Sequence, residues 1–164
     1  MIDGLLLSPR PKQIDPGEGS FVVDAGVQIH VGSASDLATH RSAKMLKNAL
    51  LELFDLELRI VPTADLGRPG HITLAVAGRD QESTSDAGPQ SYTLEISSGE
   101  VTITGSDEAG LFYGAQTLIQ IARSAGRVWP TLTIVDRPAV LSRGIMLDIQ
   151  LLAFAGHGLL SKVS

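Results

Sequence analysis

Few residues in this chain could do chemistry. Its four histidines, His30, His40, His71 and His157, form no His-x-x-x-His pair, and there is no cysteine, so the ligand spacing of a metal centre is missing. Without cysteine there are no disulfides, thiolate ligands or thiol nucleophiles, and the cellular compartment stays open. Asp107 and Glu108 are the one adjacent acidic pair at the start of an element. Charge stabilisation of a helix N-terminus, about 0.3–1 kcal/mol, accounts for them without acid–base catalysis. No Gly-x-Ser-x-Gly elbow and no glycine-rich phosphate loop occurs, and Gly110-x-x-x-Gly114 falls inside a helical pattern. Trp129, Tyr92 and Tyr113 are the candidates for stacking on a sugar ring. Aromatic residues make up only 4% of the chain and mostly occupy periodic core positions, however, and Trp129 beside Pro130 reads first as a core or loop anchor. The residues alone point to a non-catalytic globular domain with no catalytic group, no metal and no cofactor.

The elements that hold these residues follow from periodicity. Leu5–Asp24 mixes apolar runs with Pro9, Pro11, Pro16, Gly17 and Gly19, which predicts extended segments broken by turns and a strand at Phe21–Val23. Val27, Ile29 and Val31 alternate with Gln28 and His30 as in a half-buried strand. From Ser35 the spacing changes to three and four, through Leu37, Ala38, Met45, Leu46, Ala49, Leu50, Leu53 and Phe54, which predicts an amphipathic helix begun by Ser35 and Asp36. Leu58–Val61 and His71–Ala77 read as strands. Tyr92–Ile96 and Val101–Thr104 read as a hairpin turned at Ser98-Gly99. A second helix starts at Ser106 with the stripe Leu111, Phe112, Ala115, Leu118, Ile119 and Ala122. Gly110 and Gly114 on one face predict a close backbone approach to a sheet, since each costs about 1 kcal/mol in a helix interior. Leu132–Val135 and Ile145–Ile149 complete the strands, with Pro130 and Pro138 as boundaries. The expected fold is α+β, a largely antiparallel sheet with two helices packed on one face.

Composition bounds the function classes. The chain has 164 residues, 43% of them hydrophobic and 19% charged, which suits one folded domain. A net charge of −5 without clustered Lys or Arg argues against a nucleic-acid partner. No apolar run reaches the roughly 20 residues of a membrane span, and Leu5–Leu7 is too short for a signal-peptide core. A soluble chain without an export signal of its own is expected, its localisation otherwise undetermined.

Read together, Tyr92–Gly126 (YTLEISSGEVTITGSDEAGLFYGAQTLIQIARSAG) resembles the accessory domain that precedes the barrel in glycoside hydrolase family 20, the β-N-acetylhexosaminidases. The resemblance lies in a hairpin running into a helix with a G-x-x-x-G-x-x-[ST] face (Gly110, Gly114, Thr117). A Pro-bounded segment at Trp129-Pro130 and an Asp-x-Pro turn at Asp136-Arg137-Pro138 extend it. Ser142–Ile149, SRGIMLDI, looks like the first strand of the family's (β/α)8 barrel, and Arg143 matches the arginine that contacts the hydroxyls of the terminal N-acetylhexosamine. With the opening LLLSPRPKQIDPGEGSF the resemblance covers about Leu5–Asp148. It implies a parent enzyme in which the sugar's own 2-acetamido oxygen attacks the anomeric carbon, an Asp orients it and a Glu protonates the leaving oxygen.

This chain departs from that pattern. A barrel takes about 250 residues, whereas only 21 follow Arg143, and Asp107-Glu108 cannot stand in for the catalytic pair. After Asp148 the family's small residue and Arg-His or Arg-Asp are replaced by Ile149, Gln150, Leu151 and Leu152. The expected organisation is an accessory domain at 1–140, the first strand of a missing barrel at 141–149 and a divergent tail at 150–164. Such a chain would be a truncated hexosaminidase, inactive alone, that supports the barrel in its parent, with Arg143 binding substrate only there. The exposed strand and tail would favour a homodimer. An independent carbohydrate-binding module, or the accessory domain of an O-GlcNAc hydrolase or α-glucuronidase, are the alternatives.

Overall fold

A computed structural model describes residues 4–32, 37–62, 70–77 and 88–138. The chain order is β1 (Gln13–Val22), β2 (Gln28–Val31), α1 (Leu37–Phe54), β3 (Arg59–Pro62), β4 (His71–Val76), β5 (Tyr92–Ile96), β6 (Glu100–Gly105), α2 (Glu108–Ala125) and β7 (Val128–Asp136). The strands form one sheet in the order β1-β7-β5-β6-β4-β2-β3, and both helices pack on the same face of it. The expected α+β layer is what forms, with no barrel among the described residues.

The expectation of a largely antiparallel sheet is met on one half only. β1, β7, β5 and β6 pair antiparallel, while β6, β4, β2 and β3 pair parallel. Each helix is a crossover between parallel strands. α1 carries the chain from β2 back to the adjacent parallel strand β3, and α2 carries it from β6 over β5 to β7.

Register places two rows of large apolar strand residues under the helices. Ile29, Ile72, Val101, Ile96 and Leu132 lie side by side across five strands, and Val31, Leu74, Ile103, Leu94 and Ile134 make the next row. All ten are buried, together with Leu46 and Leu50 of α1 and Leu111 and Leu118 of α2. The rows between them point the other way: Thr73, Thr102, Glu95 and Thr133 face solvent on the open side of the sheet.

Three helical residues depart from the periodic expectation, Leu53 among them at 36% exposure. Leu37 is 76% exposed, since α1 buries Thr39, Ala43, Leu46 and Leu50 instead. Phe112 is 42% exposed within an otherwise buried α2 stripe. The first strand also begins earlier than its prolines and glycines suggest. β1 absorbs them in an irregularity between Pro16 and Ser20, so that Gln13–Pro16 and Ser20–Val22 both pair with β7. Pro130 is accommodated because β5 pairs with β7 only from Leu132 onward, leaving Pro130 a single neighbouring strand. Both sheet edges are thereby blunted: β1 carries Pro16 and the irregularity, and β3 is four residues long and ends at Pro62.

α2 starts on a built cap. Asp107 is extended, its Oδ1 accepts the Gly110 N–H at 2.8 Å and its Oδ2 accepts the Gln90 N–H at 2.9 Å, so one carboxylate fixes both the helix and the turn before β5. Ser106 Oγ accepts from Ser91 N–H at 3.1 Å alongside. The paired glycines do what the sequence predicts. A Cβ on Gly110 would overlap the Ser91 carbonyl oxygen, and one on Gly114 would come within 2.5 Å of Ile103 Cγ2 and 3.1 Å of the Tyr92 ring.

Gly114→Ala is expected to cost about 1–3 kcal/mol by overpacking, and Gly110→Ala more, because a backbone carbonyl cannot step aside as a side chain can. Gly99→Ala, at a site with open space around it, should stay within about 0.5 kcal/mol. Asp107→Ala should cost about 1–2 kcal/mol. Urea unfolding followed by circular dichroism measures all four.

Candidate functional site

A cleft of about 390 Å³ lies beside α2. Three stretches build it. α2 contributes Phe112, Tyr113, Gln116 and Gln120, the ends of β5 and β7 contribute Tyr92 and Asp136, and the N-terminal segment lays Pro9, Arg10 and Lys12 across the top. That segment is pinned at both ends: Ser8 N–H donates to Gln120 Oε1 at 2.8 Å and Lys12 N–H donates to Asp136 Oδ1 at 3.1 Å. Phe112 and Tyr113 meet edge to face with centroids 5.9 Å apart.

The floor is polar but self-satisfied. Tyr92 Oη and Thr117 Oγ1 share a hydrogen bond at 2.7 Å, and Thr117 Oγ1 also donates to the Tyr113 carbonyl at 3.1 Å. Burial pushes the Tyr92 phenol up to about 12, the hydrogen bond to Thr117 opposes this, and the Asp136 carboxylate adds to it. A phenol held that high keeps its proton through the physiological range and cannot act as a general base there. Gly114 and Thr117, one turn apart on α2, are thus the seat and the hydroxyl partner of the Tyr92 ring, which explains the G-x-x-x-G-x-x-T spacing from packing.

The stacking candidates separate clearly. Trp129 is fully buried, stacks on Phe21 at 5.8 Å and donates Nε1–H to the Gly126 carbonyl at 2.8 Å. Tyr92 lines the cleft but is only 4% exposed, and of the three only Tyr113 is partly exposed. Arg143, Ile145–Ile149 and the tail at 150–164 lie outside the described residues. Asp107 is the cap described above.

Sequence spacing missed one constellation. β2 and β4 bring His30 and His71 together on the sheet face opposite the helices, with ring centroids 4.9 Å apart and His30 buried, and His71 Nε2 lies 3.2 Å from Glu100 Oε2 on β6. All three sit at alternating strand positions, but only the parallel order of β2, β4 and β6 makes them neighbours. Among the described residues no group of three or more His, Cys, Asp or Glu side chains is arranged to hold a metal ion.

The Tyr92 shift gives stability a pH dependence. A phenol whose folded value lies above its unfolded one stabilises the fold fully below pH 10, and that contribution is lost as pH rises toward 12. Over that window wild type should lose about 2 kcal/mol more than Tyr92→Phe, as read by denaturant melts at each pH.

The comparisons with known proteins agree with this architecture. The model for "Glycosyl hydrolase family 20, domain 2" matches residues 5–137. A β-hexosaminidase of Porphyromonas gingivalis is 32% identical over 155 residues, covering 89% of this chain and 19% of the relative. One of Vibrio furnissii is 28% identical over 146 residues, covering 88% and 21%. The chain thus spans about a fifth of the length of these relatives. The solved family 20 β-N-acetylhexosaminidase of Streptomyces coelicolor superposes with a TM-score of 0.64 at 26% identity, over 80% of this chain and 26% of that one. With sheet, helices and cap all inside the matched range, the chain belongs to domain 2 of glycosyl hydrolase family 20, the accessory domain of the β-hexosaminidases.

Proposed function

We propose that this chain is the non-catalytic support domain of a family 20 β-N-acetylhexosaminidase, inactive alone, whose role is to buttress a catalytic (β/α)8 barrel and hold its first strand. One observation carries the reading: the polar groups gathered around α2 and the cleft are engaged in building the fold. Asp107 caps α2 and ties down Gln90, Asp136 holds the Lys12 amide, and Thr117 holds Tyr92. Asp136 and Pro138 both line the cleft, and the segment that resembles a barrel strand follows them in sequence. In the whole enzyme Arg143 would contact the terminal sugar.

The blunted edges of the sheet bear on association. With β1 and β3 poorly suited to pairing, a homodimer would form through residues 141–164 and not through the described sheet. A carbohydrate-binding module has less support, because Trp129 and Tyr92 are buried in the core.

Purified chain incubated with a chromogenic N-acetylglucosaminide should give no turnover, and a calorimetric titration with chitobiose no heat of binding. Turnover by a demonstrably pure sample would overturn the support role, and binding alone would favour the carbohydrate module. Size-exclusion chromatography should show a dimer for the full chain and a monomer for one ending at Pro138.

A further inference from the structure

We infer that the cleft beside α2 is a docking site for an acidic segment of a partner protein. The segment seats one aromatic or aliphatic side chain against Phe112 and Tyr113 and sets its carboxylates against Arg10, Lys12 and Arg137. The interior of the cleft selects the apolar part. Its polar groups are engaged within the fold: Thr117 Oγ1 with Tyr92 Oη, Gln120 Oε1 with the Ser8 amide, Gln116 Nε2 with Met45 Sδ and Asp136 Oδ1 with the Lys12 amide. Aromatic surface remains on offer. Phe112 is 42% exposed in a stripe that is otherwise buried, and Tyr113 meets it edge to face. A volume of about 390 Å³ accommodates a large side chain and the backbone that carries it.

The rim selects the charge. Arg10 and Lys12 from the N-terminal segment and Arg137 from the far end of β7 all line the cleft, against the single carboxylate of Asp136. Arg10 and Lys12 are exposed, and neither is ion-paired with another described residue. The chain as a whole carries −5, so an excess of cations is a local property of this face and not of the surface at large. An apolar centre inside a charged rim is the anatomy of a protein interface, where the rim sets the sign and register of the partner. A lipid surface fits the shape less well, because Phe112 lines a concavity and does not project as a membrane-inserting side chain must. The inference stands apart from the support-domain reading: the titration below reads the dock, and the glycoside assay reads the support role.

A rhodamine-labelled peptide Asp-Glu-Asp-Phe-Glu-Asp-Glu, titrated with the full chain in about 50 mM salt, should saturate in fluorescence anisotropy with a Kd below about 100 μM. Replacing its Phe by Ser, or its acidic residues by Lys, should weaken binding about ten-fold or more, and raising salt to about 300 mM about three-fold. Phe112→Ala in the chain should cost about ten-fold in affinity, and Arg10→Glu with Lys12→Glu about as much. The charge variant alters only exposed side chains, so it carries the test even where Phe112→Ala fails to fold. Absence of saturable binding overturns the inference, as does equal binding of the Lys peptide or indifference to the charge variant. Binding to phosphatidylglycerol vesicles without binding to the peptide also overturns it, and assigns the face to a lipid surface. A dimer in sedimentation velocity that Phe112→Ala abolishes overturns it too, and assigns the cleft to a second copy of this chain.

Discussion

The close approach of α2 to the start of β5 is the contact on which the rest of this domain depends. Hydrogen atoms at Gly110 and Gly114 let the helix backbone lie against the Ser91 carbonyl and the Tyr92 ring, at separations that no side chain permits. Asp107 locks the arrangement from the side, because its two oxygens reach the helix N-terminus and the turn at Gln90 at once. With α2 fixed in height and direction, Leu111, Leu118 and Ile121 are set down on the apolar rows of the sheet, and Thr117 arrives under the Tyr92 hydroxyl. The helix cannot rise to admit a larger residue without giving up the cap and the phenol together.

α1 is held by weaker and more peripheral means. Its last carbonyls meet the Arg127 guanidinium, which donates to Phe54 O and lies over the Phe54 ring, so the basic group sits where the helix dipole is negative. Asp55, with a positive φ of 56°, closes the helix by donating its N–H to Leu51 O at 2.8 Å. Gln116 on α2 donates to Met45 Sδ at 3.0 Å, a polar stitch between the two helices.

Much of this was legible in the sequence, and the reasons are specific. The β5–β6 hairpin, both helices and the close glycine approach announced themselves through period, turn chemistry and the cost of glycine in a helix. The parallel pairing of β2, β4 and β6 did not, since strand order is set by crossovers whose handedness and span no local pattern encodes. For the same reason His30, His71 and Glu100 look isolated in the chain and become neighbours only in the sheet. The early start of β1 was hidden because Pro16, Gly17 and Gly19 read as breakers, whereas the strand takes them up in its irregularity. At the cleft, the family motif was readable, but Phe112 looked like a core residue. Its exposure comes from the packing of the N-terminal segment, which reaches Gln120 and Asp136 but does not cover the ring.

The blunted edges of the sheet have a meaning for evolution as well as for assembly. A sheet with unprotected outer strands is safe only inside the protein that covers them, and any gene rearrangement that separates the two exposes a seed for aggregation. Here the outer strands are shielded by their own backbone, through Pro16 and its irregularity on one side and a four-residue strand stopped by Pro62 on the other. Such a module is transportable. Its sheet does not depend on a covering neighbour to keep its outer strands from recruiting others.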